Sequence, residues 1–255
     1  MRAIGAIAKN TIAEALHRIF VQTVLAFAVL FIVGGTFLSY LGPGMEEKVL
    51  QDLGLSIITL FSMLMAIFIG VGLIQPEVER RTVYALLAKP VRRHEFVLGK
   101  FLGALVVIAG CVWLMGGVFV LAIFAKQHVW QPALLSAVAI LPLAAAIMMA
   151  VVMLFSTFTS SLLSVLFGFV VWGIGFSQST LEYLGESTEN RFSRTMIGVI
   201  NTVLPDFGNF DWRLIIVEEL NLITPDVMLK IIGYGLAYVA VVLALTIVVF
   251  NEKQF

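Results

Sequence analysis

Apolar side chains run through this chain in long blocks, and the polar ones gather between them. Six blocks stand out, roughly Phe20 to Leu41, Leu53 to Ile74, Phe101 to Ala125, Ala133 to Phe158, Leu162 to Ser177 and Met228 to Phe250; apart from Lys230 at the margin of the last, they contain no Asp, Glu, Lys, Arg or His. A helix needs about 20 apolar residues to cross a hydrocarbon core of about 30 Å, so the pattern predicts six transmembrane helices, the fifth of them short. The polar stretches then become loops that leave the bilayer. Most prominent is Gln75 to Lys100, QPEVERRTVYALLAKPVRRHEFVLGK, which holds six of the sixteen Lys and Arg residues.

Two polar segments carry a helical period of their own. Near the N-terminus, Ile4, Ala8, Ile12, Ala15 and Ile19 recur at helical spacing, with Arg2, Lys9, Asn10 and His17 mostly elsewhere on the wheel. This predicts an amphipathic helix lying in the headgroup layer over residues 1–19, retained and not a signal peptide. Between the last two blocks, Gln178 to Asp226 contains Phe192, Met196, Val199, Ile200 and Val203, an apolar stripe on a helix whose other side bears Arg194 and Asn201. Ser179 with Glu182 has capping-box spacing, LPDFGNFDW is a turn-rich break, and Thr224-Pro225-Asp226 reads as an N-cap, a first-turn proline and a dipole-favoured acid. Two or three short helices are expected there, resting on the outer surface or plugging the mouth of a pathway, with the stripe facing lipid or a gate.

Composition agrees with the pattern. Sixty per cent of the residues are hydrophobic and 13% charged, against about 25% in an ordinary soluble domain. Net charge is zero, but its distribution sets an orientation: with both termini cytoplasmic, ten of the sixteen cations fall inside and six outside. Cys111 lies alone in an apolar block, where a small buried hydrophobe is the expected role. His17, His94 and His128 fall in separate segments, no H-E-x-x-H or G-x-S-x-G occurs, and Gly99-Lys100 lacks the rest of a phosphate-binding loop. No catalytic, cofactor or metal site is expected. Blocks without central charge also offer no means of coupling to an ion gradient, so energy must enter through the loop at 75–100.

That loop is built to be stiff. Pro76 suits the first turn of a helix, Glu77 and Glu79 suit its positive end, and Pro90 should stop it near Ala88; a second short helix, Arg92 to Leu98, leads through Gly99 into the third span. Val83, Leu86 and Leu87 offer apolar contact, and Glu79, Arg80, Arg81, Arg92 and Arg93 offer charge. The plain alternative is a basic loop held against anionic lipid.

ERRTVYALLAKPVRRHEFVLGKFLG resembles the cytoplasmic loop of the ABC type-2 permeases, through Glu79, Arg81, Thr82, Leu86, Leu87, Pro90, Val91, Arg93, Gly99 and Lys100. The layout of spans and the long outer segment before the last are similar too. The resemblance implies an all-α integral membrane permease, a single domain over residues 1–255 without a nucleotide-binding domain, non-catalytic itself. It would pair with a second permease, commonly its own copy, and with two ATPase subunits that would bind the ATP and Mg, in a bacterial inner membrane. The coupling residues would be Glu77, Glu79, Arg80, Arg81, Thr82, Leu86, Leu87, Arg92 and Arg93. The extracellular gate would include Phe192, Met196, Val199, Ile200 and Val203. Gly99-x-x-x-Gly103, Gly116-Gly117 and Gly233-x-Gly235 offer small faces for self-association or for packing within one chain. An exporter is the leading expectation, and a non-transporting scaffold recruiting a soluble partner is the alternative. The substrate is not specified.

Overall fold

The computed structural model describes residues 2–15, 21–38, 46–79, 93–128, 131–187, 191–213 and 224–252. These form nine α-helices, with no strand among the described residues: α1 (Arg2–Ala15), α2 (Val21–Leu38), α3 (Glu46–Glu79), α4 (Arg93–Gln127), α5 (Pro132–Phe158), α6 (Ser161–Phe176), α7 (Gln178–Ser187), α8 (Arg191–Val203) and α9 (Pro225–Glu252). One 3-10 turn, Gly208–Phe210, lies between α8 and α9.

By length and composition four helices can cross a membrane, namely α3, α4, α5 and α9. The bent pair α6 and α7 makes a fifth if it is one span, while the apolar stretch of α2, Gln22–Gly34, is shorter. At the centre stands α5, with 78% of its apolar window buried, packed against α3, α4, α6 and α9. Ala144, Ala145, Ala146 and Ala150 bring its backbone close to those neighbours. By contrast α9 has only 22% of its window buried, through Gly235, Val242, Leu243, Thr246 and Phe250.

Element boundaries differ from the expected ones in instructive ways. Helix α3, 34 residues and about 50 Å long, runs unbroken from Glu46 through Pro76 to Glu79. Half of the expected loop before the second span is therefore its first turns. Pro76 lies near its C-terminal end and does not open a new helix, because a helix tolerates one lost N–H once its remaining ladder is in place. Glu77 and Glu79 consequently sit at the negative end of the helix dipole, where an acid is disfavoured by about 0.3–1 kcal/mol. Likewise α4, 35 residues, starts at Arg93 and continues through Gly99 without a separate short helix. The chain breaks at Ser177, and α7 leaves α6 at 61°, so the fifth block does not extend straight into Gln178-Ser179-Thr180. Ser177, whose carbonyl accepts the Leu181 N–H at 3.0 Å, precedes the helix, and Ser179 stands within its first turn instead of capping it.

Other expectations match. Helix α9 opens on Pro225 with Asp226 in its first turn, and the Thr224 carbonyl accepts from the Met228 N–H. Between α5 and α6 only Thr159 and Ser160 intervene; the Thr159 and Ser164 hydroxyls meet at 2.7 Å, and Ser164 also donates to the Ser160 carbonyl. That hairpin satisfies its backbone with its own hydroxyls.

Candidate functional site

Two regions carry unusual chemistry, one at each end of the bundle. At the first, α4 emerges from residues 80–92. Arg80, Arg81, Thr82, Leu86, Leu87 and Arg92 lie outside the described residues, and Glu77 and Glu79 are placed by their backbone alone. Arg93 is fully placed. Its Nη1 donates to the carbonyl oxygens of Phe250 at 3.2 Å and Asn251 at 3.1 Å, in the last turn of α9. Carbonyls of a last helical turn lie beyond the regular ladder, and a cation there also meets the negative end of the dipole. One turn on, Phe96 stacks on Phe250 with centroids 6.3 Å apart and planes 16° from parallel, and the Lys100 ammonium lies 5.4 Å from the Phe96 ring.

The same stretch of α4 seats α1. A Cβ at Gly99 would stand 2.9 Å from Ile7 Cβ, and one at Gly103 would stand 2.7 Å from the Ala8 carbonyl oxygen. This small-residue face is therefore occupied within the chain. Gly116 similarly faces Val138 and Gly235 faces Leu143, whereas Gly117 and Gly233 meet open space. On α1 the covered side is Ile4, Ile7, Ala8 and Thr11, with Thr11 bonded back to Ile7; Lys9 and Asn10 are exposed.

At the opposite end the turn-rich break is not a surface loop. Residues 204–213 dip between α3, α5, α6 and α9 as a strap, burying Phe207, Phe210 and Trp212. Its backbone is held on three sides. Phe207 N–H donates to the Gly175 carbonyl at 3.0 Å, and Gln178 Nε2 donates to the Leu204 carbonyl at 3.0 Å. From α9 the Tyr238 hydroxyl donates to the Val203 carbonyl at 3.0 Å, and the Tyr234 hydroxyl accepts the Asp206 N–H at 3.0 Å. Asp206 closes its own turn by accepting from Gly208 N–H and Asn209 Nδ2. Burial pushes the Asp206 carboxyl above its ordinary range, and the Gly208 and Asn209 donors pull against that.

Arg213 ends the strap. Its Nε and Nη2 grip Asp211 at 2.6 Å each, its Nη1 donates to the Ser56 hydroxyl of α3 at 2.6 Å, and its guanidinium lies 5.4 Å from the Phe176 ring. Asp211 raises the Arg213 pKa against the opposing effect of burial, so the guanidinium keeps its charge. Arg213 also lines an open groove of about 400 Å³, together with Ser56, Thr59, Leu60, Trp172, Phe176 and Ser177. A second groove, about 540 Å³ and lined by hydrophobic side chains, runs along Val106, Trp113, Pro142 and Leu143.

The stripe residues all fall on α8. Phe192 (72% exposed), Met196, Val199 and Val203 are exposed, and Ile200 is half-buried. The helix packs through its flank instead, where Ile197 lies against Gly185 of α7. The strap's contacts with the bundle were missed in the sequence. Their signal was aromatic density: three large rings in six residues are too many for a loop meant to rest in water. Among the described residues no three His, Cys, Asp or Glu side chains gather as a metal site.

Residues 5–255 match the family described as ABC-2 family transporter protein. The chain belongs to that family. As an ABC-2 permease it is a membrane component of an ABC transporter, with an ATPase as partner and a multi-pass bundle as its body. None of the curated proteins matches it closely enough to count as a relative.

Proposed function

We propose that this permease is the transmembrane half of an ATP-driven exporter, working as a homodimer with two ATPase subunits in a bacterial inner membrane. The observation that supports this best is the pairing of apolar helices with one basic segment. Residues 80–92 join the inner ends of α3 and α4, and α4 continues eight residues, about 12 Å, beyond its apolar block. A soluble subunit can grip there. Glu77, Glu79, Arg80, Arg81, Thr82, Leu86, Leu87 and Arg92 supply the contact, and acids at the unfavourable end of α3 gain most from a basic partner surface. Six crossings with both termini cytoplasmic follow, with α2 and the α6–α7 pair as the first and fifth. At the outer face α8, with Phe192, Met196, Val199, Ile200 and Val203, forms the gate together with the strap.

The test is reconstitution in lipid with a candidate ABC ATPase. Glu79→Arg and Arg81→Glu should weaken complex formation and permease-dependent ATP hydrolysis, and combining them with charge-reversed ATPase variants should restore both. Unchanged assembly and unchanged hydrolysis in both variants would overturn the assignment.

A further inference from the structure

We infer that α9 is a connecting rod, tying the coupling segment at one face of the bundle to the strap and the end of α8 at the other, with Arg93 as its inner pin and Tyr234 and Tyr238 as its outer pins. The inference rests on the reading of residues 80–92 as the ATPase contact. It changes the role of Arg93, which belongs by position to the expected coupling set but is bound to this chain's own last helix.

Four observations carry it. Arg93 is the first helical residue after segment 80–92, and its guanidinium donates to two carbonyls of the last turn of α9. Any displacement of the segment therefore pulls on that end of α9 directly, and the Phe96–Phe250 stack makes the contact resist compression as well as tension. At the far end Tyr234 and Tyr238, one turn apart on the same face, hold Asp206 and Val203, the start of the strap and the last residue of α8. From Tyr234 to Asn251 the helix spans about 25 Å, close to a hydrocarbon thickness, so one rigid element reaches both faces.

Between the pins little holds α9 sideways. Among the described residues its side-chain hydrogen bonds to other elements are those at its two ends; the mid-helix Thr246 hydroxyl turns back to the Val242 carbonyl. The rest is apolar contact along one seam, chiefly against α5. Packed helices slide along such seams by an ångström or two in domain shear. A helix pinned at both ends and greased along its length moves as a unit.

The experiment is amide hydrogen exchange on the whole permease in nanodiscs, without any ATPase. Arg93→Gln should raise exchange in residues 204–213, on the opposite face, by about 2- to 30-fold. Arg93→Lys, which keeps a donor for the carbonyls, should restore part of the protection. Because linkage is reciprocal, Tyr238→Phe should raise exchange in residues 244–252. Arg93→Gln effects confined to the neighbourhood of residues 93 and 250, with no remote effect of Tyr238→Phe, would overturn the rod. Should Arg93→Gln loosen the whole bundle, Arg93→Lys and Tyr238→Phe decide by the same criterion. A separate pull-down with the ATPase distinguishes the two proposals. Loss of binding in Arg93→Lys would move Arg93 back to the ATPase surface and overturn its role as pin. Failure of the parent chain to bind would overturn the coupling reading while the exchange result still judges the rod.

Discussion

Gly175→Ala isolates what holds the strap. At Gly175 an added Cβ would stand 2.4 Å from the Pro205 carbonyl oxygen and 2.7 Å from Phe207 Cδ2. The first of these is backbone, so no rotamer change relieves it and the strap itself must move. Overpacking of this kind costs about 1–3 kcal/mol. Displacement also strains the Phe207 N–H bond to the Gly175 carbonyl, worth about 0.5–1.5 kcal/mol. Replacing Gly by Ala in a helix returns about 1 kcal/mol. The net loss is about 1–3 kcal/mol, which corresponds to strap opening increased roughly 5- to 150-fold. Gly173→Ala is the matched control, two residues earlier on the same helix with nothing within 4 Å of its Cβ. Hydrogen exchange of residues 204–213 reads both variants. The expected result is faster exchange in Gly175→Ala and none in Gly173→Ala; equal rates in the two would refute the claim that close approach at Gly175 seats the strap.

The cradle for α1 predicts that Gly103→Val, which drives a branched side chain against the Ala8 carbonyl, expels α1 and exposes its covered face to protease, while Gly110→Ala, with open space around it, leaves α1 in place. For Asp206 the direction of its shift sets a pH dependence. A carboxyl held above its unfolded value opposes folding when charged, and the penalty is present at neutral pH and lost as pH falls through the folded pKa to the ordinary Asp range. The thermal stability of the parent chain should therefore gain on that of Asp206→Asn as pH falls from 7 through that window; a gap that is constant or widens in favour of Asn contradicts it.

How far the sequence could be read follows from what each feature depends on. Apolar blocks, the α9 start at Thr224-Pro225-Asp226 and the helix beneath the Phe192 stripe are local, and period or capping chemistry is enough to find them. Ends of helices are not. Pro76 was expected to start a helix because proline is welcome in a first turn, yet α3 already had 30 residues of ladder behind it and carried through. The Gly99-x-x-x-Gly103 face was visible, but which helix fills it depends on where α1 folds back, and no residue of α4 encodes that. The strap depends on four elements meeting, so Arg213 reaching Ser56 across 157 positions could not be read from spacing.

Within a bilayer the faces of α9 and α6 that this chain leaves open cost nothing by their exposure, because lipid tails are as apolar as Leu166 or Val241. What positions a helix there is close packing and hydrogen bonding, and the two are divided unequally in this bundle. Helix α5 has packing all round and is fixed. Helix α9 has one packed seam, deepest where Gly235 admits Leu143, and its specific bonds sit at the ends. Adding apolar bulk along its open face should therefore change little, whereas removing one end bond should shift the whole helix. Mobility in such a fold is decided by where the polar contacts are, and here they join the segment facing the expected ATPase to the strap facing the expected gate.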